Sequence, residues 1–243
     1  SSELAKPGVS IDLKIQSDAK VFIAEVLKQG KKIIFPSFSE WVKICNQWKE
    51  KYPTTLPEYR QEKLVNTYYF SDVLSDIASN DDSILIDTSS CFHVVCQAWK
   101  IKKGQRFMTT GGLSTLGYWP AGLGLAMTSP KKRTIVITGD GSLSMNIQEL
   151  ATIKQNNLPI KLFIFNNNGY LLIRHTQKTH MEGRFMGESP ETGLWLPDML
   201  EIAKTYKIKG VRISSSRNLA SKLKAVLDYD GPVICDVMTP LWQ

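Results

Sequence analysis

The sequence predicts an α/β protein: a doubly wound, mostly parallel sheet with helices on both faces, preceded by a short piece of a different domain. Three observations carry this expectation. From residue 64 onward, helical patterns alternate with short apolar runs, the order that parallel sheets use. The runs ILI, TIVIT, LFIF and VICDV are continuous rather than alternating, as strands covered on both faces are. Gly139-Asp140-Gly141-Ser142 directly follows one of these runs, at the carboxyl edge where a doubly wound sheet binds its ligands.

Taken in order, VSIDLKIQSDAKVFIAEVL (residues 9–27) reads as a strand-like alternation that passes through Ser17-Asp18, a helix cap, into an amphipathic helix. One strand and one helix are too little for a domain. FPSFSEW reads as linker, WVKICNQWKEKY as a helix, and PTTLPEYRQ as an irregular connector. The expected boundary lies near residue 60, leaving 1–60 as remnant and linker and 61–243 as the α/β domain. The chain opens on Ser1, directly in structured-looking sequence, so a longer parent polypeptide is expected. Beyond the boundary, YFSDVLSDIASN leads to SILIDT, PAGLGLAMTS to TIVITGDG, NIQELATIKQN to KLFIFNNNGY, LPDMLEIAKTYKI to GVRIS, and NLASKLKAVLDY to PVICDVM. Gly122-Leu123-Gly124 does not suit a dinucleotide fold, because its glycines lie inside a helical pattern and not in a strand-to-helix turn.

With 243 residues and 42% apolar content, the chain can bury one good core and part of another. Its charge of +7 is spread thinly, which fits a solvated basic surface that also tolerates anionic ligands, and no nucleic-acid partner is expected. Four cysteines show no CxxC pair and read as small buried hydrophobes in a reducing compartment. No apolar run approaches the roughly 18 residues of a membrane span, and a cytoplasmic location is expected.

The chemistry rests on two loops. In Gly139-Asp140-Gly141-Ser142 the glycines let the backbone approach a phosphate, and the acid offers a hard oxygen to a divalent cation. One helix and one strand later comes Asn166-Asn167-Asn168-Gly169-Tyr170, which places the second loop beside the first. Asp140, a side-chain oxygen of Asn167 and a carbonyl near Gly169 make three ligands for Mg2+, with the rest left to a diphosphate and water. The amides of Gly141 and Ser142, at a helix start, suit the diphosphate.

This pairing of GDG with NN resembles the thiamine diphosphate (ThDP) binding motif, and GSLSMNIQELATIKQNNLPIK resembles the corresponding segment of acetolactate synthases and related decarboxylases. Upstream, residues 111–120 (GGLSTLGYWP) resemble the family segment that holds the aminopyrimidine ring. The resemblance makes Leu116 the apolar prop that bends the cofactor, with a core leucine as the alternative, and makes the Ser114 carbonyl and Leu116 amide partners of the pyrimidine. It also gives Gly139 and Tyr170 to the cofactor site. It covers most of residues 64–243, and residues 9–27 look like the end of the family's middle domain.

The resemblance implies a Mg-ThDP enzyme that decarboxylates a 2-keto acid, pyruvate first among them, and joins the product to a second carbonyl compound. Simple decarboxylation and a non-catalytic assembly subunit are the alternatives. The activating glutamate belongs to the family's N-terminal pyrimidine-binding domain, usually from a neighbouring subunit, so a homodimer or homotetramer is implied and no catalytic residue is assigned to this chain. Glu149 reads as structural or solvated. Thr176 stands where acetolactate synthases usually carry tryptophan; the pattern is closer to acetolactate-synthase-like proteins that occur with surface-polysaccharide genes. Residues 170–196 are expected to be an irregular cover over the site. Within them Arg174 is open to a carboxylate partner in the site or on the surface, and His175 and His180 to acid/base roles or to solvent. His93 is given no role.

Overall fold

The computed structural model describes residues 2–8 and 10–242 and divides into two compact units, Ser1–Tyr52 and Pro53–Gln243. In the first, α1 (Ala19–Gly30) begins where Asp18 accepts hydrogen bonds from the amides of Lys20 and Val21, and α2 (Ser39–Lys51) follows. Neither helix has a buried residue. The strand expected before α1 does not form: residues 10–16 have no regular structure, and Val9 lies outside the described residues. Alternation of side chains does not make a strand unless a partner pairs its N–H and C=O groups, and this unit contains no other strand among its described residues.

The second unit opens earlier than the expected boundary near residue 60. The short 3-10 turn Pro57–Gln61 already belongs to it, with Tyr59 stacked on Tyr68 at 6.0 Å. Its elements run α3 (Thr67–Ile77), β1 (Ser83–Ile86), α4 (Ser90–Ala98), β2 (Arg106–Thr109), α5 (Ala121–Thr128), β3 (Thr134–Gly139), α6 (Asp140–Ser144), α7 (Leu150–Gln155), β4 (Ile160–Asn166), α8 (Leu171–His180), α9 (Met199–Thr205), β5 (Lys209–Ile213), α10 (Leu219–Asp228) and β6 (Val233–Met238). The six strands form one sheet in the order β2-β1-β3-β4-β6-β5, and every pairing is parallel.

Helices cover both faces, so each interior strand contributes alternate residues to two cores. On one face Phe70 and Leu74 of α3, Val95 of α4 and Leu223 of α10 pack on Ile84, Ile137, Phe163 and Cys235. On the other, Leu125 of α5, Ile153 of α7 and Ile202 of α9 pack on Leu85, Val136, Leu162 and Ile234. This two-sided burial is why the strand sequences are continuously apolar. β2 was not expected from the sequence: it is a four-residue edge strand, largely half-exposed, with no apolar run to mark it.

The α5 glycines show what the helical reading of this segment entails. A Cβ on Gly122 would come within 2.5 Å of Val136 Cγ2, whereas one on Gly124 would meet nothing within 4 Å. Gly122 therefore sets the closeness of α5 to β3, and Gly124 does not. Gly122→Ala is expected to destabilise the domain by about 1–2 kcal/mol, overpacking outweighing the gain in helix propensity. Gly124→Ala is expected to stabilise it by up to about 1 kcal/mol. Urea denaturation of both variants measures this opposition of sign; two shifts of the same sign would contradict the packing argument.

Candidate functional site

The strand order reverses between β1 and β3, and the carboxyl ends of these strands and of β4 border a cleft of about 240 Å3. Parallel strands end here with their next loops diverging, which leaves room between them. Ser114, Leu116, Gly139, Asp140, Gly141, Ser142, Asn167, Gly169 and Tyr170, all singled out from the sequence, line this one cleft. They share it with Thr88, Ser89 and Cys91 after β1, Phe165 of β4 and the first turn of α8.

Asp140 sits at the junction of β3 and α6 and is 2% exposed. Its Oδ1 accepts from the Gly141 amide at 2.8 Å and its Oδ2 from the Gly169 amide at 3.1 Å, so one carboxyl holds both loops together. Both glycines are required by the closeness of approach. A Cβ on Gly141 would lie 2.2 Å from the Tyr170 ring, and one on Gly169 would lie 2.1 Å from the Glu188 carbonyl oxygen. Burial pushes the Asp140 pKa up to about 6, against the opposing pull of the amide donors, with Asp236 adding to the rise.

Asn167, the next strand's contribution, is 9% exposed, and its Oδ1 is buried without a hydrogen-bond partner. An orphaned amide oxygen in the same cleft as an acid that burial strains makes a donor set suited to a hard cation. Among the described residues no group of three or more His, Cys, Asp and Glu is arranged to hold a metal ion by itself. One acid with amide and carbonyl oxygens suits Mg2+ and not a thiolate- or imidazole-seeking metal. The residues present thus fit a magnesium-bound diphosphate.

A second buried acid escaped the sequence reading. Asp87, fully buried at the end of β1, accepts from the amides of Thr88 (2.8 Å) and Tyr118 (3.1 Å) at Oδ1, and from the hydroxyls of Thr138 (2.7 Å) and Ser142 (2.6 Å) at Oδ2. The Ser142 hydroxyl also accepts from the Gly117 amide at 2.7 Å, and Asn146 Nδ2 donates to the Gly117 carbonyl. The 114–118 loop is thereby fastened to α6. On it Leu116 is 41% exposed and lines the cleft, not a core. The signal for Asp87 lay in ILIDT, an acid placed directly at a strand's carboxyl end.

Residues 170–196 are not irregular throughout. Leu171–His180 is α8, whose buried residues are Leu171 and Arg174. A charge at a buried position hid the helix's apolar stripe. Arg174 is 2% exposed and pairs with the buried Glu188, donates to the Leu241 carbonyl and lies against the Trp242 ring. It serves neither the cleft nor the surface. His175 and His180 are exposed and do not line the cleft; His175 meets the edge of Trp242 at 5.5 Å. Thr176 is exposed, with Oγ1 donating to the Leu172 carbonyl. Glu149 is half-buried outside the cleft, accepting from the Thr152 hydroxyl, and His93 is exposed.

Residues 87–237 match the family model of the thiamine pyrophosphate enzymes' C-terminal TPP binding domain. The chain is 32% identical to the acetolactate synthase large subunit of Cyanidium caldarium over 92% of its own length and 38% of that protein's. It is 28% identical to the mitochondrial acetolactate synthase catalytic subunit of Saccharomyces cerevisiae over 94% of its own length and 33% of that protein's. It therefore spans under two fifths of either relative. Among solved structures, benzoylformate decarboxylase from Polynucleobacter necessarius superposes with a TM-score of 0.68 at 19% identity, covering 78% of this chain and 36% of that one. The ThDP-dependent 4-hydroxybenzoylformate decarboxylase of Rhodococcus jostii gives 0.64 at 22% identity, covering 74% and 33%. At these identities the likeness is one of fold.

The raised pKa of Asp140 has two measurable consequences. The folded, metal-free protein holds a proton between about pH 4 and pH 6 that the unfolded chain releases, so this group's contribution to stability falls as pH rises through that window, by about 3 kcal/mol in all, and is flat above it. A metal needs the deprotonated acid, so affinity for Mg2+ alone is expected to be about tenfold lower at pH 5 than at pH 7. Titration calorimetry at the two pH values, with Asp140→Asn as control, measures it; equal affinities would place the titrating group elsewhere.

Proposed function

Because this chain belongs to the thiamine pyrophosphate enzyme family, whose C-terminal cofactor-binding domain it carries, we propose that the full-length protein is a Mg-ThDP-dependent carboligase. In this reading it decarboxylates a 2-keto acid, pyruvate first among them, and transfers the remaining fragment to a second carbonyl compound. The observation that carries the proposal is that Asp140 and Asn167, whose Oδ1 is buried without a partner, line one cleft at the strand-order reversal. Similarity to acetolactate synthases along nearly the whole chain supports the reaction class.

In this reading Asp140, Asn167 and the Gly169 carbonyl hold Mg2+, and the turn Gly139–Ser142 receives the diphosphate. Ser114 and Leu116 face the pyrimidine side, Leu116 supplying apolar bulk. The bound cofactor supplies a carbon nucleophile and an electron sink for decarboxylation. Phe165, Leu171 and Ile173 give the cleft apolar walls that lower the local dielectric around the reacting charges. Cys91 adds to the wall as an inert thiol, since burial and then the neighbouring Asp87 and Asp140 push its pKa well up.

Among the described residues lining the cleft, Asp140 is the one acid. The group that activates the cofactor must then come from outside this chain's cleft. The exposed apolar side chains Leu116, Leu172 and Ile173 on its walls suit a covering protein surface better than water. A pyrimidine-binding domain, of the same polypeptide or of a second subunit in a homodimer or homotetramer, meets both needs.

The test is a pyruvate assay on the full-length protein with ThDP and Mg2+, following carbon dioxide and products. Carbon dioxide with a carbon–carbon coupled product is expected; an aldehyde alone would leave decarboxylation without ligation. Asp140→Ala is expected to lose cofactor retention through gel filtration and at least a hundredfold of activity, as loss of a buried charged ligand entails. Retained ThDP with unchanged magnesium dependence would sink the site assignment.

A further inference from the structure

We infer that Asp87 is a positioning residue that couples the two halves of the cofactor cleft, setting the pyrimidine-side loop against the diphosphate-side turn. The inference rests on the ThDP reading above and deepens it, because the direct bond between the two segments, from the Gly117 amide to Ser142 Oγ, uses a hydroxyl that Asp87 orients.

Its four hydrogen bonds divide among the three segments that wall the cleft. Thr88 N–H belongs to the turn leading into α4, Tyr118 N–H to the loop that carries Ser114 and Leu116, and the hydroxyls of Thr138 and Ser142 to β3 and α6, which flank Asp140. A carboxyl offers about four acceptor directions, and each is used here. Asp87 itself is fixed by its own amide, which donates to the Ile137 carbonyl at 2.9 Å and continues the β1–β3 ladder by one residue. The rigid sheet thus reaches directly into all three segments through one side chain.

Ser142 carries the coupling further. Its hydroxyl gives its proton to Asp87 and takes one from Gly117, so its one proton is committed inside the scaffold and not free for an anionic ligand. Gly117 has φ +79° and follows Leu116 directly, so whatever holds its amide fixes the turn after the expected prop. The path Asp87 to Ser142 to Gly117 joins the turn that takes the diphosphate to the loop that takes the ring. Asp87 is fully buried and is not among the residues that line the cleft. It acts through others, and touches neither cofactor nor substrate.

The test separates positioning from general support of the fold by using two probes in the full-length protein. Magnesium pyrophosphate engages only the Asp140 side, whereas ThDP with Mg2+ spans both sides. Asp87→Asn keeps the shape and lets Oδ1 go on accepting from the two amides, but its amide nitrogen can accept neither the Ser142 nor the Thr138 proton. ThDP affinity is expected to fall about tenfold, the cost of the one lost hydrogen bond that lies on the path to Gly117, while pyrophosphate affinity changes less than threefold. Ser142→Ala cuts the same path with a smaller change and reads the same link should Asp87→Asn fail to fold. It is expected to show the same selective loss, and the double variant to lose no more than either single one. Parallel loss of both probes, no loss of either, or additive losses in the double variant would overturn the inference. Wild-type protein that binds pyrophosphate but not ThDP would instead remove the cofactor reading on which it stands.

Discussion

The structure around the cleft depends on one constraint: a carboxyl group held almost out of water at the end of a parallel strand. Asp140 is 2% exposed, and the groups that hydrogen-bond it are neutral amides of two different loops. To deliver those amides, the two loops must come within contact distance of each other. That demand fixes Gly141 beneath the Tyr170 ring and Gly169 against the Glu188 carbonyl, where any side chain would collide. Glu188 is fixed in turn, because its side chain pairs with the buried Arg174 of α8 and its carbonyl accepts from the Tyr170 amide. One buried acid therefore dictates the glycines, the position of the following aromatic residue and the packing of the helix beyond.

Much of this was legible in the sequence, because the same physics acts locally. Continuous apolar runs marked β1, β3, β4 and β6, since strands buried on both faces cannot alternate. GDG and NNNGY announced themselves by glycines that close backbone approach demands, set beside an acid and amides, and the fold brings them into one cleft. What was hidden depends on long-range partners. α8 escaped because its inner face is built from Leu171 and an arginine, and Arg174 reads as buried only once Glu188, the Leu241 carbonyl and Trp242 are seen around it. The expected strand before α1 failed for the converse reason: its alternation was local, but pairing is not.

Asp87 belongs to the same class of hidden residue. Its partners lie 1, 31, 51 and 55 positions away, and no local pattern joins ILIDT to GYW and GDGS. Sequence motifs identify groups that touch a ligand because ligand chemistry restricts residue type. Groups that hold those residues in place are restricted by geometry instead, and geometry is written across the whole domain. The lesson is visible in Ser142, whose amide the motif marks for the diphosphate while its hydroxyl proton is engaged by Asp87.

Three costly features of the fold coincide at this cleft, and their coincidence is itself an argument about function. The Asp140 carboxylate is destabilised by burial, and Asn167 Oδ1 lacks a partner. Ser89, at the cleft wall, has φ 68° and ψ −143°, close to a region that is essentially the preserve of glycine. Each such feature costs on the order of 1–3 kcal/mol, a sizeable part of a domain's net stability. Elsewhere the same domain satisfies its buried acids well: Asp82 meets Arg133, and Asp236 meets Arg212 and Asn166. A scaffold able to neutralise acids in this way leaves Asp140 without a cation among its described partners. A bound divalent cation with an anionic ligand would relieve the carboxylate and the amide oxygen together, so folding and ligand binding are thermodynamically linked at this one place.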